Sequence, residues 1–327
     1  MKAFVTGASG FIGANLVRLL LARGHQVRAL VRSNSSLNNL QGLPIEIVTG
    51  NLLDLDLEQK MQSCDVLFHV AALYSLWHKD RDLLYQNNVL GTRNVLQAAR
   101  KANLERAVYT SSVAAIGTSK QKGELVNETH QSPPEELIGD YKKSKYWAEQ
   151  EALEAIKNGQ DIVIVNPSTP IGPWDLKPTP TGEIICRFLA KKMPAYVDTG
   201  LNFIDVRDVA WGHLLALEKG KTGERYILGN QNLSLKEFLE ILAGLTQQSS
   251  PKLQVPLWLP LSVAWLDEYV LPFLGKTPSI PFAGVQMSAQ SMYYDPSKAQ
   301  KELGLPSSCL KQAITDAVDW FGDHSFD

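Results

Sequence analysis

The 327-residue chain is 44% hydrophobic and 20% charged with a formal net charge of −2, an ordinary globular composition that can bury a sizeable core, as one large α/β domain with an extension or as two domains sharing a cleft. That charge balance argues against nucleic acid as a partner and leaves small-molecule chemistry as the expectation. Cys64, Cys186 and Cys309 are odd in number and far apart, which argues against a disulfide framework or a metal site and reads as core thiols in a reducing compartment.

No basic stretch with an apolar signal segment precedes the first strand, so a cytoplasmic site of action is expected, with contact at a membrane surface as a variant of it. That strand, Ala3–Val5, runs into Thr6-Gly7-Ala8-Ser9-Gly10-Phe11-Ile12-Gly13 and then into a helical pattern from Ala14. Gly7 lets the chain turn sharply off the strand, Gly10 lets the backbone approach a pyrophosphate, and Gly13 lets the helix pack close to the sheet. The phosphates would sit against free N–H groups along Ser9 to Gly13, at the positive end of the helix. The glycine spacing is wider than the usual three-glycine fingerprint, so the strand before and the helix after carry the reading.

Further strands are expected at Gln26–Val31, Ile45–Val48, Val66–Val70, Arg106–Thr110 and Asp161–Val165, separated by amphipathic stretches such as Ala14–Arg23, Tyr85–Ala102 and Tyr141–Lys157. Such alternation implies right-handed βαβ units and an α/β fold, a doubly wound parallel (Rossmann) sheet covered on both faces. After Pro167 the pattern becomes irregular, with prolines at 170, 173, 178, 180 and 194. A dinucleotide-binding domain over 1–166 is therefore expected, followed over 167–327 by a smaller C-terminal α/β substrate-binding domain, parts of which return to the Rossmann core.

The second strand ends at Arg32-Ser33, where an NAD-preferring protein usually places a carboxylate on the ribose. A guanidinium there pairs with a 2′-phosphate, so NADP is the expected cofactor, with NAD as the alternative if Arg32 only stacks on the adenine. Asn51 follows the third strand and is placed either to meet the adenine edge or simply to make the turn.

Tyr141 and Lys145 stand four residues apart on one helix face and make an acid/base pair. A free phenol titrates near ~10, and a neighbouring ammonium with the positive nicotinamide would favour phenolate. Lys145 would also hold the nicotinamide ribose. At the end of the fifth strand Ser112 is the expected hydroxyl on the substrate oxygen, with Ser111 as the alternative one register away. Asn88 either supports the site or is a structural amide.

Together the Thr6–Gly13 octet, His69-Val70-Ala71-Ala72, Ser112, the Tyr141/Lys145 pair and Asp205-Val206-Arg207-Asp208-Val209-Ala210 resemble the extended short-chain dehydrogenase/reductase superfamily over essentially the whole chain. Asn166 to Pro173, Lys177 to Gly182 and Met193 to Asn202 are similar to the bacterial hopanoid-associated sugar epimerases, a group that itself resembles dihydroflavonol 4-reductases. The resemblance implies an NAD(P)-linked redox cycle with Tyr141 as acid/base, Lys145 as its partner and Ser112 as orienter. It also implies cofactor contacts from Leu52, Ala71, Ala72, Pro167 and Ser168. Nucleotide-sugar epimerases of this kind usually carry Asn and Arg where this chain has Thr169 and Leu201, groups that would meet a diphosphate.

That departure favours an NADP(H)-dependent reductase or dehydrogenase acting on a bulky apolar or polyol-bearing substrate. The alternatives are a sugar epimerase or dehydratase and a non-catalytic NADP-binding protein. Trp77, Asn88, Thr169 and Trp174 are the expected substrate side. Trp258 to Leu274 is apolar except for Asp267 and Glu268; it is too short to span a bilayer and reads either as a core helix or as an apolar lid with peripheral membrane contact. A monomer or a homodimer is expected.

Overall fold

The computed structural model describes residues 1–121, 123–274 and 277–324. In chain order its strands are β1 (Lys2–Thr6), β2 (Gln26–Val31), β3 (Glu46–Thr49), β4 (Val66–His69), β5 (Arg106–Thr110), β6 (Ile162–Pro167), β7 (Thr169–Ile171), β8 (Ala195–Tyr196), β9 (Gly200–Asp205), β10 (Arg225–Leu228), β11 (Gln231–Ser234) and β12 (Leu253–Gln254). Seven of them form one parallel sheet in the order β10-β6-β5-β4-β1-β2-β3. Order reverses beside β1, which lies between β2 and β4 with Thr6 opposite both Leu30 and His69. In a doubly wound sheet a ligand binds at such a crevice, beyond the carboxyl ends of the strands.

Ala3, Phe4, Val5 and Ile162–Val165 are fully buried, as strands covered on both faces require. On one face Leu16, Leu20, Val209 and Leu214, from the helices Phe11–Ala22 and Val206–Lys219, pack on the sheet. On the other, Val95, Leu96, Ala148 and Ala152 do the same from Gly91–Lys101 and Gly139–Lys157. The chain beyond residue 167 builds a further core around the stacked rings of Phe203 and Phe238, 4.6 Å apart, enclosed by Pro180–Leu189, Leu235–Thr246 and Leu310–Asp323. It also returns Val206–Lys219, β10 and Ala299 to Leu305 to the first core.

Three elements differ from expectation. Tyr85–Ala102 is not one uniform helix: residues Tyr85–Leu90 wind as a π turn, a form associated with functional positions. Cys64 is buried, but Cys186 is only partly so and Cys309 is exposed. Trp258–Tyr269 is not a core helix, because its burial is inverted. Trp258, Val263, Trp265 and Leu266 face outward, with Phe273 just beyond them 89% exposed, while Asp267 and Glu268 are buried. The two carboxylates accept the backbone N–H groups of Ser279, Ile280 and Phe282 at 2.6, 2.7 and 2.6 Å, folding the following segment onto the helix. No helix among the described residues is long and apolar enough to cross a membrane.

Asp175 ties the proline-rich segment down. One carboxylate oxygen accepts Thr179 N–H and Oγ1–H at 2.9 and 2.8 Å, while the other is buried without a partner. Burial pushes the carboxyl up to about 6, against the Thr179 hydrogen bonds. Its folded value thus lies above the unfolded one, so the stability it allows is complete below pH ~4 and is lost as pH rises through ~6. Between pH ~4 and ~8 the difference in unfolding free energy between Asp175→Asn and the unsubstituted chain should therefore move by about 2–3 kcal/mol in favour of the variant. Urea titrations across that range check this, and parallel pH profiles would refute it.

Candidate active site

The turn after β1 is shaped by what cannot stand in it. Gly7 has φ +71°, and a Cβ there would lie 2.6 Å from the Ala71 nitrogen. A Cβ on Gly13 would lie 2.0 Å from the Gly7 carbonyl oxygen. Gly10 is under less pressure from the protein: its φ is −80° and its Cβ would make one tight contact, 3.3 Å to the Gly7 oxygen. It begins the helix with no side-chain cap, and no acidic residue follows in the first turn. Backbone N–H groups around Phe11, Ile12 and Gly13 are thus left for an anion at the positive end of the helix, which fits a dinucleotide pyrophosphate.

Arg32 and Ser33 are exposed just past β2, and the Arg32 carbonyl closes a turn with Ser35 N–H at 3.0 Å. The guanidinium pairs with no acid among the described residues. Asn51 is a turn residue: its N–H donates to Asp54 Oδ2 at 2.9 Å and its Oδ1 accepts Leu53 N–H at 3.4 Å. Leu52 packs beside Gly91. Ala71 donates its N–H to Thr6 Oγ1, and Ala72 beyond it is exposed. Pro167 ends β6, and the Ser168 hydroxyl donates to Asn202 Oδ1 at 2.8 Å. Asn202, fully buried, also accepts Asn230 N–H and donates to Asn232 and to the Tyr294 carbonyl, a hub that no local pattern announces.

Ser112, Tyr141 and Lys145 converge beyond the carboxyl end of β5. Ser112 caps the Val113–Ile116 turn, accepting Ala114 N–H at 3.1 Å, and its hydroxyl lies close enough to the Tyr141 phenol to lower its pKa. Ser111, the alternative, is buried with no partner for its hydroxyl. Lys145 is buried and donates to the Thr110 carbonyl at 2.9 Å. Burial lowers its ammonium to about 8, opposed by Glu149 one turn on.

Within the chain itself, burial opposes the expected phenolate. Burial pushes Tyr141 up to about 12, the Ser112 hydrogen bond works against that, and Lys145 has no resolved effect on it. At neutral pH the group is a proton donor, not a phenolate. Tyr74 lies over it with ring centroids 4.5 Å apart, a neighbour the sequence did not single out.

Asn88 is 1% exposed and fully engaged. Its Oδ1 accepts Leu73 N–H at 2.7 Å, and its Nδ2 donates to the Leu73 carbonyl and to Ser144 Oγ, both at 2.9 Å. Ser144 in turn donates to the Tyr141 carbonyl. The amide therefore clamps the segment after β4 to the helix carrying Tyr141. Trp77 is partly buried in that same segment. Thr169 and Leu201 fall on the neighbouring strands β7 and β9, Thr169 pairing with Phe203 two residues beyond Leu201. Trp174, expected at the substrate, is otherwise engaged: its ring stacks on the Arg18 guanidinium at 3.5 Å and lies 4.8 Å from Trp320. Among the described residues no cluster of His, Cys, Asp and Glu could hold a metal.

A sequence model of the NAD dependent epimerase/dehydratase family matches residues 3–229. The chain belongs to this family. A Synechocystis protein named "Putative dihydroflavonol 4-reductase" is 65% identical over 327 residues, 99% of this chain and 95% of its own length. The "Sterol demethylase protein B" of Methylococcus capsulatus is 36% identical over 98% of each chain. The crystal structure of gox2253 superposes with a TM-score of 0.88 at 42% identity, covering 99% of this chain and 98% of its own. This family member therefore has a Rossmann fold of the NAD(P)-binding kind.

Two substitutions separate fold from cofactor binding. Gly13→Ala drives a Cβ into the Gly7 carbonyl and should cost about 1–3 kcal/mol in urea unfolding as well as dinucleotide affinity. Gly10→Ala meets only one tight contact, 3.3 Å to the Gly7 oxygen, so its unfolding midpoint should fall less than that of Gly13→Ala while dinucleotide affinity falls at least ~tenfold in a fluorescence titration. Equal loss of stability in both would mean that Gly10 serves the fold.

Proposed function

We propose that the chain is an NADP(H)-dependent reductase or dehydrogenase acting at a carbonyl or carbinol carbon of a bulky, largely apolar substrate. The observation that carries this reading is the convergence of the Ser112 hydroxyl, the protonated Tyr141 phenol and the Lys145 ammonium at the end of β5. Bound nicotinamide supplies or accepts the hydride. In reduction Tyr141 donates its proton to the substrate oxygen, which Ser112 orients and polarises through its own O–H. Lys145 holds the ribose and supports the phenolate formed when the proton leaves. Gly7, Ser9, Gly10, Phe11, Ile12 and Gly13 cradle the pyrophosphate, and Arg32 meets the 2′-phosphate.

Reduction is favoured over epimerisation of a nucleotide sugar on two grounds. Thr169 and Leu201 are neutral where a diphosphate would need an amide and a guanidinium, and a buried diphosphate without cations is heavily penalised. The two similar proteins named above carry a reductase and a sterol-processing name. NADPH oxidation measured with a dihydroflavonol, a steroid-like ketone and UDP-glucose tests the choice: net oxidation with a ketone supports reduction, and saturable UDP-glucose binding with no net oxidation sinks it.

Tyr141→Phe keeps the ring and removes the proton, so NADP(H) binding should survive while turnover falls by ~10²–10⁴-fold or more. Near-normal turnover in that variant would show that another group is the acid. Arg32→Asp should weaken NADP(H) at least ~tenfold and spare NAD(H); equal loss of both would reduce Arg32 to an adenine-stacking residue.

A further inference from the structure

The segment after β4, residues 70–77, has no regular secondary structure, yet it is tied down along its length. Ala71 donates its N–H to Thr6 Oγ1. Leu73 gives both its N–H and its carbonyl to the Asn88 amide, at 2.7 and 2.9 Å. The Ser75 hydroxyl donates to Asp80 at 2.6 Å and accepts Trp77 N–H at 3.2 Å. Tyr74 stands between the clamped Leu73 and the clamped Ser75. Its ring centroid lies 4.5 Å from that of Tyr141, with the two planes at 60°.

Core packing does not account for that ring. Tyr74 is 42% exposed, so burial of its own apolar area contributes little to the fold. What the contact does cover is one side of the partly buried Tyr141 ring, and among the described residues Tyr74 is the ring that meets it. The pairing is also fixed through the backbone. The Asn88 amide that holds Leu73 donates to Ser144 Oγ at 2.9 Å, and Ser144 donates to the Tyr141 carbonyl at 2.8 Å. A chain of hydrogen bonds thus runs from the residue before Tyr74 to the residue that carries the phenol. The Tyr74 phenol is pushed up by burial, then by Tyr141 and Glu183, so it stays neutral and places no negative charge beside its neighbour.

We propose that Tyr74 is a positioning residue for the proton donor: its ring holds the Tyr141 ring in place and keeps water from the side that it covers. This rests on the reading of Tyr141 as the acid, but the contact itself is tested without turnover. Water withheld from that side is also withheld from the phenolate it would solvate, so the Tyr74 ring favours the protonated donor. Removing the ring admits water and makes Tyr141 easier to ionise, whereas removing only the Tyr74 hydroxyl leaves the cover intact.

The experiment is an ultraviolet titration of tyrosinate in the dinucleotide-free protein, each protein being paired with its own Tyr141→Phe counterpart so that the difference isolates Tyr141. In Tyr74→Ala the midpoint should fall by about one pH unit or more, a roughly tenfold rise in the ionisation constant. Tyr74→Leu, which fills part of the space, should fall by less, and Tyr74→Phe should stay with the unsubstituted chain; a dinucleotide titration certifies the fold of each. An unmoved midpoint in Tyr74→Ala and Tyr74→Leu, or an equal fall in Tyr74→Phe, would overturn the assignment. NADPH oxidation with a steroid-like ketone is read separately: kcat should drop at least ~tenfold in Tyr74→Ala, with NADP(H) affinity kept, and return in Tyr74→Phe. A shifted midpoint in a protein that oxidises no NADPH would leave the Tyr74 contact standing and defeat the reductase reading, and turnover with an unmoved midpoint would defeat the role of Tyr74 alone.

Discussion

The cleft rests on buried polar braces that hold the carboxyl ends of neighbouring strands in register. Thr6 on β1 accepts Ala71 N–H and reaches His69 Nδ1 on β4 at 2.7 Å, while His69 Nε2 meets Thr92 at 3.0 Å on the helix behind. Burial, with Lys145 adding to it, lowers His69 to about 3, so the ring stays neutral. Two strands along, Thr110 on β5 gives its carbonyl to Lys145 and its hydroxyl to His213. Asn166 on β6 donates to the Ser112 carbonyl and to Glu149. Apolar packing alone is non-directional and would let the strand ends slide; these bonds have a fixed reach, and each ends beside a residue of the proposed chemistry.

The same logic explains why Tyr141 is held as a phenol. Its helix is pinned from the sheet side by Lys145 and from the flank by the Asn88–Ser144 link, so the partly buried ring sits against Tyr74 and close to Ser112. Burial there raises the pKa, and the compensating charge has to come from the bound state.

The chain beyond residue 167 is assembled differently. It relies on carboxylates that accept backbone N–H groups where regular structure runs out: Asp175 under the proline-rich loop, and Asp267 and Glu268 beneath the Trp258–Tyr269 helix. Glu268 also meets His78 Nδ1 at 2.5 Å, joining that helix to the segment after β4 that carries Trp77. The result is a cover whose outer face is aromatic and whose inner face is polar, the reverse of an ordinary surface helix.

What the sequence determined by itself is the cofactor half of the molecule. The strand, the glycine-spaced turn and the helix from Phe11 are local signals, and the buried parallel strands read as apolar runs because both their faces are covered. The four-residue spacing of Tyr141 and Lys145 is likewise a property of one helix. β10 was not legible, since four residues carry no period and its only partner, β6, is some sixty residues away in the chain. Nor was the π turn that turns Asn88 inward, or the inverted burial of Asp267 and Glu268. Which of two adjacent serines faces the phenol and whether that phenol is neutral are both settled by desolvation. Desolvation depends on what the rest of the chain packs around a group, so only the tertiary structure could decide them.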